Sequence, residues 1–133
     1  MNSRDIDILE HIICYCDDIE ETNKHFGNSF EVLESNRVYK NALTMCILQI
    51  GELAGHLSEE FKIAYPNMPW SDLRKMRDLA AHHYIKFDED TLWETIVEDI
   101  PVLREYCEKV ISQQAGLEQE ALPEQDEGPK MTF

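Results

Sequence analysis

From Ser3 to Ser112 the apolar residues return every three or four positions, and no alternating run bounded by hairpin turns interrupts them. A chain with that spacing buries its apolar side chains by packing helix on helix. The expected fold class is therefore all-α, an up-and-down bundle of four to five helices. The periodicity predicts a first helix from about Ser3 to about His25, with Ser3 as N-cap and Asp5 at the positive helix start. Its buried stripe should be Ile6, Leu9, Ile13, Cys16 and then Ile19 or Glu20, and Gly27 and Asn28 should stop it. A short turn over Ser29 to Glu34 should lead into one long second helix, from about Asn36 to about Ala64.

That second helix is apolar on more than one side, as a central or interface helix would be. Gly51 and Gly55 lie on one face of it, four apart. Each costs a helix interior about 1 kcal/mol relative to alanine. Close approach of another helix is one reason to keep both; simple tolerance is the other. Pro66 and Pro69 forbid continuous helix between Tyr65 and Trp70. Ser71 is then the predicted N-cap of a third helix, with Leu73, Met76, Leu79 and Ala80 as its apolar face. This helix should fray over His82 to Tyr84, followed by a loop to Asp88. A fourth should start near Asp88 or Asp90 and carry Leu92, Trp93, Ile96 and Val97. Pro101 interrupts a helical pattern that runs on to Ser112. Either Asp99 caps a new helix with Pro101 in its first turn, or one helix kinks.

Residues 1–112 thus read as one folded domain. Residues 113–133 read as an acidic tail, with Glu118, Glu120, Glu124, Asp126 and Glu127 against Lys130, expected to be disordered. The formal net charge of −15 argues against a protein that coats nucleic acid, since non-specific affinity comes from Lys and Arg neutralising phosphates. It leaves room for a small local cationic site. Cys14, Cys16, Cys46 and Cys107 fall in apolar helical stretches and read as free thiols; His11 sits one turn before Cys14, but no second pair has metal-ligand spacing. The N-terminus lacks a signal-peptide layout and no apolar run is long enough to span a bilayer, so the expected location is the cytoplasm.

The chemistry concentrates in Arg77-Asp78-Leu79-Ala80-Ala81-His82-His83-Tyr84. Arginine clamps a phosphate bidentately, and histidine transfers protons near neutral pH. Trp70 and Trp93 read as core anchors. His11, His25 and His56 stand alone. Lys62, Arg74 and Lys75 lie close enough in sequence to add phosphate contacts, and Glu52 could orient Arg77 by an ion pair.

The run Gln49-Ile50-Gly51-Glu52-Leu53-Ala54 and the segments Leu57 to Phe61, Tyr65-Pro66, Pro69-Trp70, Met76-Arg77-Asp78, His82-His83-Tyr84, Leu92-Trp93 and Asp99-Ile100-Pro101 resemble the HepT-like branch of the HEPN superfamily. The likeness covers roughly residues 3 to 112. Arg77, His82 and Tyr84 meet its Arg-x4-His-x-Tyr pattern. Two positions depart from the usual pattern: Lys75 stands where glycine is usual, and Asp78 where asparagine is common.

The resemblance implies a homodimeric bundle with the motifs of two protomers facing across a cleft. It implies a metal-independent endoribonuclease, without cofactor, acting on RNA as the toxin of a bacterial or archaeal toxin–antitoxin pair. It implies as partner an MNT-type nucleotidyltransferase antitoxin, which adenylylates the motif tyrosine, Tyr84, and silences the toxin. Arg77 and His82 would be catalytic, with Asp78 and His83 in support. Tyr84 sets the register in favour of His82 over His83. The alternative is a HEPN subunit that holds a nucleotide or the transferase and cleaves nothing.

Overall fold

The structure, a computed structural model, describes residues 2–82 and 88–116. Among them every regular element is helical. Four longer helices, α1 (Ser3–His25), α3 (Arg37–Gly55), α5 (Trp70–His82) and α7 (Ile100–Gln114), build the bundle. Three six-residue helices, α2 (Phe30–Ser35), α4 (Glu59–Ala64) and α6 (Glu89–Glu94), join them. α3 is central: α5 lies along it and α1 packs beside it, while α7 covers α1 from the other side. Tyr39, Leu43, Ile50 and Ala54 of α3 are fully or almost fully buried. No helix among the described residues is long and apolar enough to cross a membrane.

α1 begins and ends close to its expected bounds. Asn2 rather than Ser3 is the N-cap, its side chain accepting from the Asp5 amide at 2.8 Å. Gly27 (φ +80°) and Asn28 (φ +52°) then turn the chain into the left-handed region and end it. The buried stripe is rotated from the one expected. Ile8, Leu9, Ile12, Cys16 and Ile19 face the core, whereas Ile6 and Ile13 are only half-buried.

Two other expectations need correction. Ser29 to Glu34 is largely helix, not turn: Ser29 caps α2 by accepting from the Val32 amide, and Leu33 anchors it in the core. The long helix also does not run through to Ala64. It ends at Gly55, and Ser58 adopts an extended conformation that caps a new helix. The break is held from outside by buried Asp5, whose carboxylate accepts from the Ser58 amide at 3.0 Å and its hydroxyl at 2.7 Å. The Ser58 hydroxyl oxygen in turn accepts from the Phe61 amide at 3.1 Å.

The proline break between α4 and α5 is closed by aromatic packing. Trp70 is buried among Phe61 and Tyr106 and donates its indole N–H to the Tyr65 carbonyl at 2.9 Å. α5 starts at Trp70, one residue before the predicted cap, on the Pro69 carbonyl. Asp88 caps α6 near its expected start, its side chain accepting from the Asp90 amide. Trp93 is half-buried and packs edge-on to Phe30. The helical path then continues into α7 through a π turn at Thr95–Asp99, and Pro101 falls in the first turn of α7. The wider π turn takes up the missing proline N–H without breaking the path.

Candidate active site

The site is built where α5 crosses close to α3. A Cβ placed on Gly51 would lie 2.3 Å from the Arg77 Cβ and 2.6 Å from the Leu73 carbonyl oxygen. Gly51 therefore has no side chain because the α5 backbone occupies that space. Gly55 makes room one turn later for the Arg74 side chain, whose Nη1 would sit 2.2 Å from an added Cβ. Of the two reasons considered for these glycines, close approach is the one the packing supports.

That approach brings Arg77 against Glu52. The Arg77 Nε and Glu52 Oε1 are 2.6 Å apart, both atoms are shut off from solvent, and they are not aligned as a hydrogen bond. Arg77 also donates from Nη1 to Asp78 Oδ1 at 3.1 Å, and its side chain is 25% exposed. Glu52 lies a further 3.5 Å from the His56 ring. The guanidinium is thus pinned at its inner edge and open to solvent at its outer one, the posture of a phosphate clamp. The other cations of α5 sit loosely beside carboxylates: Arg74 is 3.9 Å from Asp78, and Lys75 is 3.8 Å from Asp72.

His82 is the last residue of α5 and is exposed. The helix runs unbroken from Arg77 to His82, where the described part of it ends; the rest of the stretch expected to fray lies outside the described residues. On a regular helix, five residues place the two side chains about 140° apart. One protomer therefore does not close Arg77 and His82 around a single atom; a bridging substrate or a second copy has to. His83 and Tyr84 lie outside the described residues, as does the acidic tail from residue 117 onward.

The described residues contain no group of three His, Cys, Asp or Glu side chains placed to hold a metal ion. His11 bonds the Asp7 carbonyl, away from any cluster. Cys16, Cys46 and Cys107 are buried thiols and Cys14 is exposed. Burial pushes Cys16 up to about 12 and Cys46 up to about 11, and raises Cys107 too, so these are inert core groups rather than nucleophiles. Two features were not foreseen from the residues: the Asp5–Ser58 clasp, and a groove between α1 and α7 around Arg104. Each joins residues more than 50 positions apart, and neither carries a local motif.

The family model for HepT-like ribonucleases matches residues 12–110. A Methanocaldococcus jannaschii protein named "Putative RNase MJ1216" is 32% identical over 123 residues, which is 92% of this chain and all of that protein. A Thermococcus cleftensis protein named "Probable ribonuclease HepT" is 33% identical over 104 residues, 78% of this chain and 93% of its own. No solved structure matches the chain.

Proposed function

The chain belongs to the HepT-like ribonuclease family, and on that premise we propose that it is a metal-independent endoribonuclease toxin whose site is completed by a second copy of itself. The observation that carries this reading is the posture of Arg77, held from behind by Glu52 and open at its outer edge. RNA supplies its own nucleophile, the 2′-hydroxyl. Cleavage then needs a base for that hydroxyl, an acid for the departing 5′-oxygen and a cation for the charge building on phosphorus. Arg77 is the cation. A single histidine does not serve as base and acid in one step, and two-fold symmetry supplies two copies of His82. One takes the 2′-hydroxyl proton, the other gives a proton to the 5′-oxygen, and the product ends in a 2′,3′-cyclic phosphate.

The face for the second copy is argued from α3. Val38 and Met45 are exposed hydrophobic residues spaced one heptad apart, and the next heptad position is Glu52. An apolar stripe therefore leads directly to the Arg77–Glu52 pair. A protomer packed along it would bring its own α5 to the same place.

Silencing is part of the proposal. An MNT-type nucleotidyltransferase would join the Tyr84 phenol oxygen to the α-phosphate of ATP, with pyrophosphate leaving. The new phosphodiester would occupy the Arg77 clamp and add negative charge there.

The test is induced expression of the wild type, His82→Ala and Arg77→Ala, with total RNA mapped for new ends. Growth arrest and new 2′,3′-cyclic ends with the wild type alone are expected. If the wild type carries an unmodified Tyr84 by mass spectrometry and still produces no ends, the protein is a binding subunit instead.

A further inference from the structure

A groove of about 630 Å³ runs between α1 and the π turn with α7. None of its lining residues belongs to α3 or α5. Its walls are Ile19, Ile96, Val97, Ile100 and Pro101. Val97 is 50% exposed, although it projects from the same π turn whose Ile96 is buried. Such turns recur where a helix is reshaped for a purpose other than packing.

The rim is strongly one-sided in charge. Asp17, Glu20, Glu105 and Glu108 line it against Arg104 alone. Arg104 is already engaged, donating from Nε to Asp17 and from Nη1 to Glu108, both at 2.7 Å. Lys109 reaches Glu105 only at 3.9 Å, from outside the lining. The groove thus offers an apolar floor under a carboxylate rim whose one lining cation is spent.

We infer that this groove docks a cationic amphipathic segment of a partner protein, with an apolar side chain seated on Val97, Ile100 and Pro101 and lysine or arginine reaching Glu20 and Glu105. Charge complementarity selects that occupant. Nucleic acid would be repelled. So would a second copy of this chain, which carries net charge −15, and so would the chain's own last 17 residues, with five acids and one lysine. Because no residue of α3 or α5 lines the groove, a partner held here leaves the Arg77 clamp free to meet RNA.

The test uses the full-length protein and a fluorescein-labelled synthetic peptide with leucine on one helical face and lysine elsewhere. Binding is read by anisotropy at ~150 mM salt, where the Debye length of about 8 Å removes diffuse attraction. Glu20→Lys/Glu105→Lys should weaken binding about tenfold or more. Glu31→Lys/Glu34→Lys makes the same change in net charge on the exposed face of α2 and should alter binding less than about twofold. Val97→Ser should weaken it as well, which keeps the inference open to refutation if the charge reversals fail to fold. Arg77→Ala should bind like the wild type, so loss of ribonuclease activity does not bear on the result. Equal weakening by the two double variants, peptide-induced amide shifts away from Val97 and Ile100, or no binding at all would overturn the inference.

Discussion

Adding one methyl group at Gly51 should damage this protein more than its size suggests. The three nearest atoms to a Cβ there are the Arg77 Cβ at 2.3 Å, the Leu73 carbonyl oxygen at 2.6 Å and the Arg77 Cα at 3.1 Å. Comfortable carbon–carbon contact is about 3.5–4.0 Å, so α5 would have to retreat by about 1 Å. All three atoms are backbone or fixed to it, and none can swing aside. Overpacking of this kind costs about 1–3 kcal/mol, against a helix-propensity gain of about 1 kcal/mol for Gly→Ala. With the clash cost near the top of that range, Gly51→Ala should lose about 2 kcal/mol net and lower Tm by about 5–10 °C. Gly55→Ala is the matched control. Its nearest obstacle is the far end of Arg74, a 44% exposed side chain that can move into water. It should be neutral or stabilising by up to about 1 kcal/mol. Urea denaturation followed by circular dichroism at one fixed protein concentration measures both. The packing argument fails if Gly51→Ala is as stable as the wild type, or if the two alanines cost the same. The retreat of α5 also pulls Arg77 from Glu52, so RNA cleavage by Gly51→Ala should fall at temperatures where the variant is still folded.

Glu52→Gln should separate binding from turnover. Without the carboxylate competing for Arg77, KM for RNA should drop, while looser orientation of the guanidinium lowers kcat about tenfold; steady-state cleavage showing both parameters unchanged would rule out a positioning role. Asp5→Ala leaves the Ser58 amide and hydroxyl without their acceptor and should cost about 3 kcal/mol in urea unfolding, with amide exchange at Ser58 accelerated first; a loss below about 1 kcal/mol would mean the clasp is incidental. Alkaline pH should destabilise the fold. Burial raises Cys16, Cys46 and Cys107 above their ordinary value of 9.0 in the folded chain, so their contribution is intact below pH 9 and is lost as pH rises, toward about 11 for Cys46 and about 12 for Cys16. At one unit above the unfolded value each thiol accounts for about 1.4 kcal/mol, and replacing all three by alanine or valine should flatten stability between pH 9 and 11.

What could be read along the chain divides by the range of the interaction that decides it. The stop at Gly27 and Asn28, the break at Pro66 and Pro69 and the start at Asp88 are settled within a few residues of themselves, and each stands where the residues place it. The stripe of α1 was legible as a helix but not in phase. Choosing between Ile6 with Ile13 and Ile8 with Ile12 depends on where α3 and α7 lie, which periodicity alone does not say. The end of α3 at Gly55 is the clearest case of a distant cause. Nothing between Gly55 and Glu60 forbids helix outright, and Ser58 becomes a cap because Asp5, 53 positions earlier, holds both its amide and its hydroxyl.

The site follows the same division. Arg77 and His82 stand out as residue types within one short segment, and the two glycines of α3 announce that something must pass close by. That the passing element is α5, and that it arrives with Arg77 opposite Glu52, needs the tertiary crossing. The crossing also changes the meaning of the helix itself. α5 stays helical from Arg77 to His82, and five residues of regular helix set the two side chains about 140° apart. An intact α5 therefore strengthens the case for catalysis between two protomers, because the geometry that would have allowed a single chain to do the work is absent from it. Concentration dependence follows directly: specific activity should fall on dilution below the dimer dissociation constant, and mixing Arg77→Ala with His82→Ala chains should not restore it, because the mixed dimer holds one His82 where the step needs two.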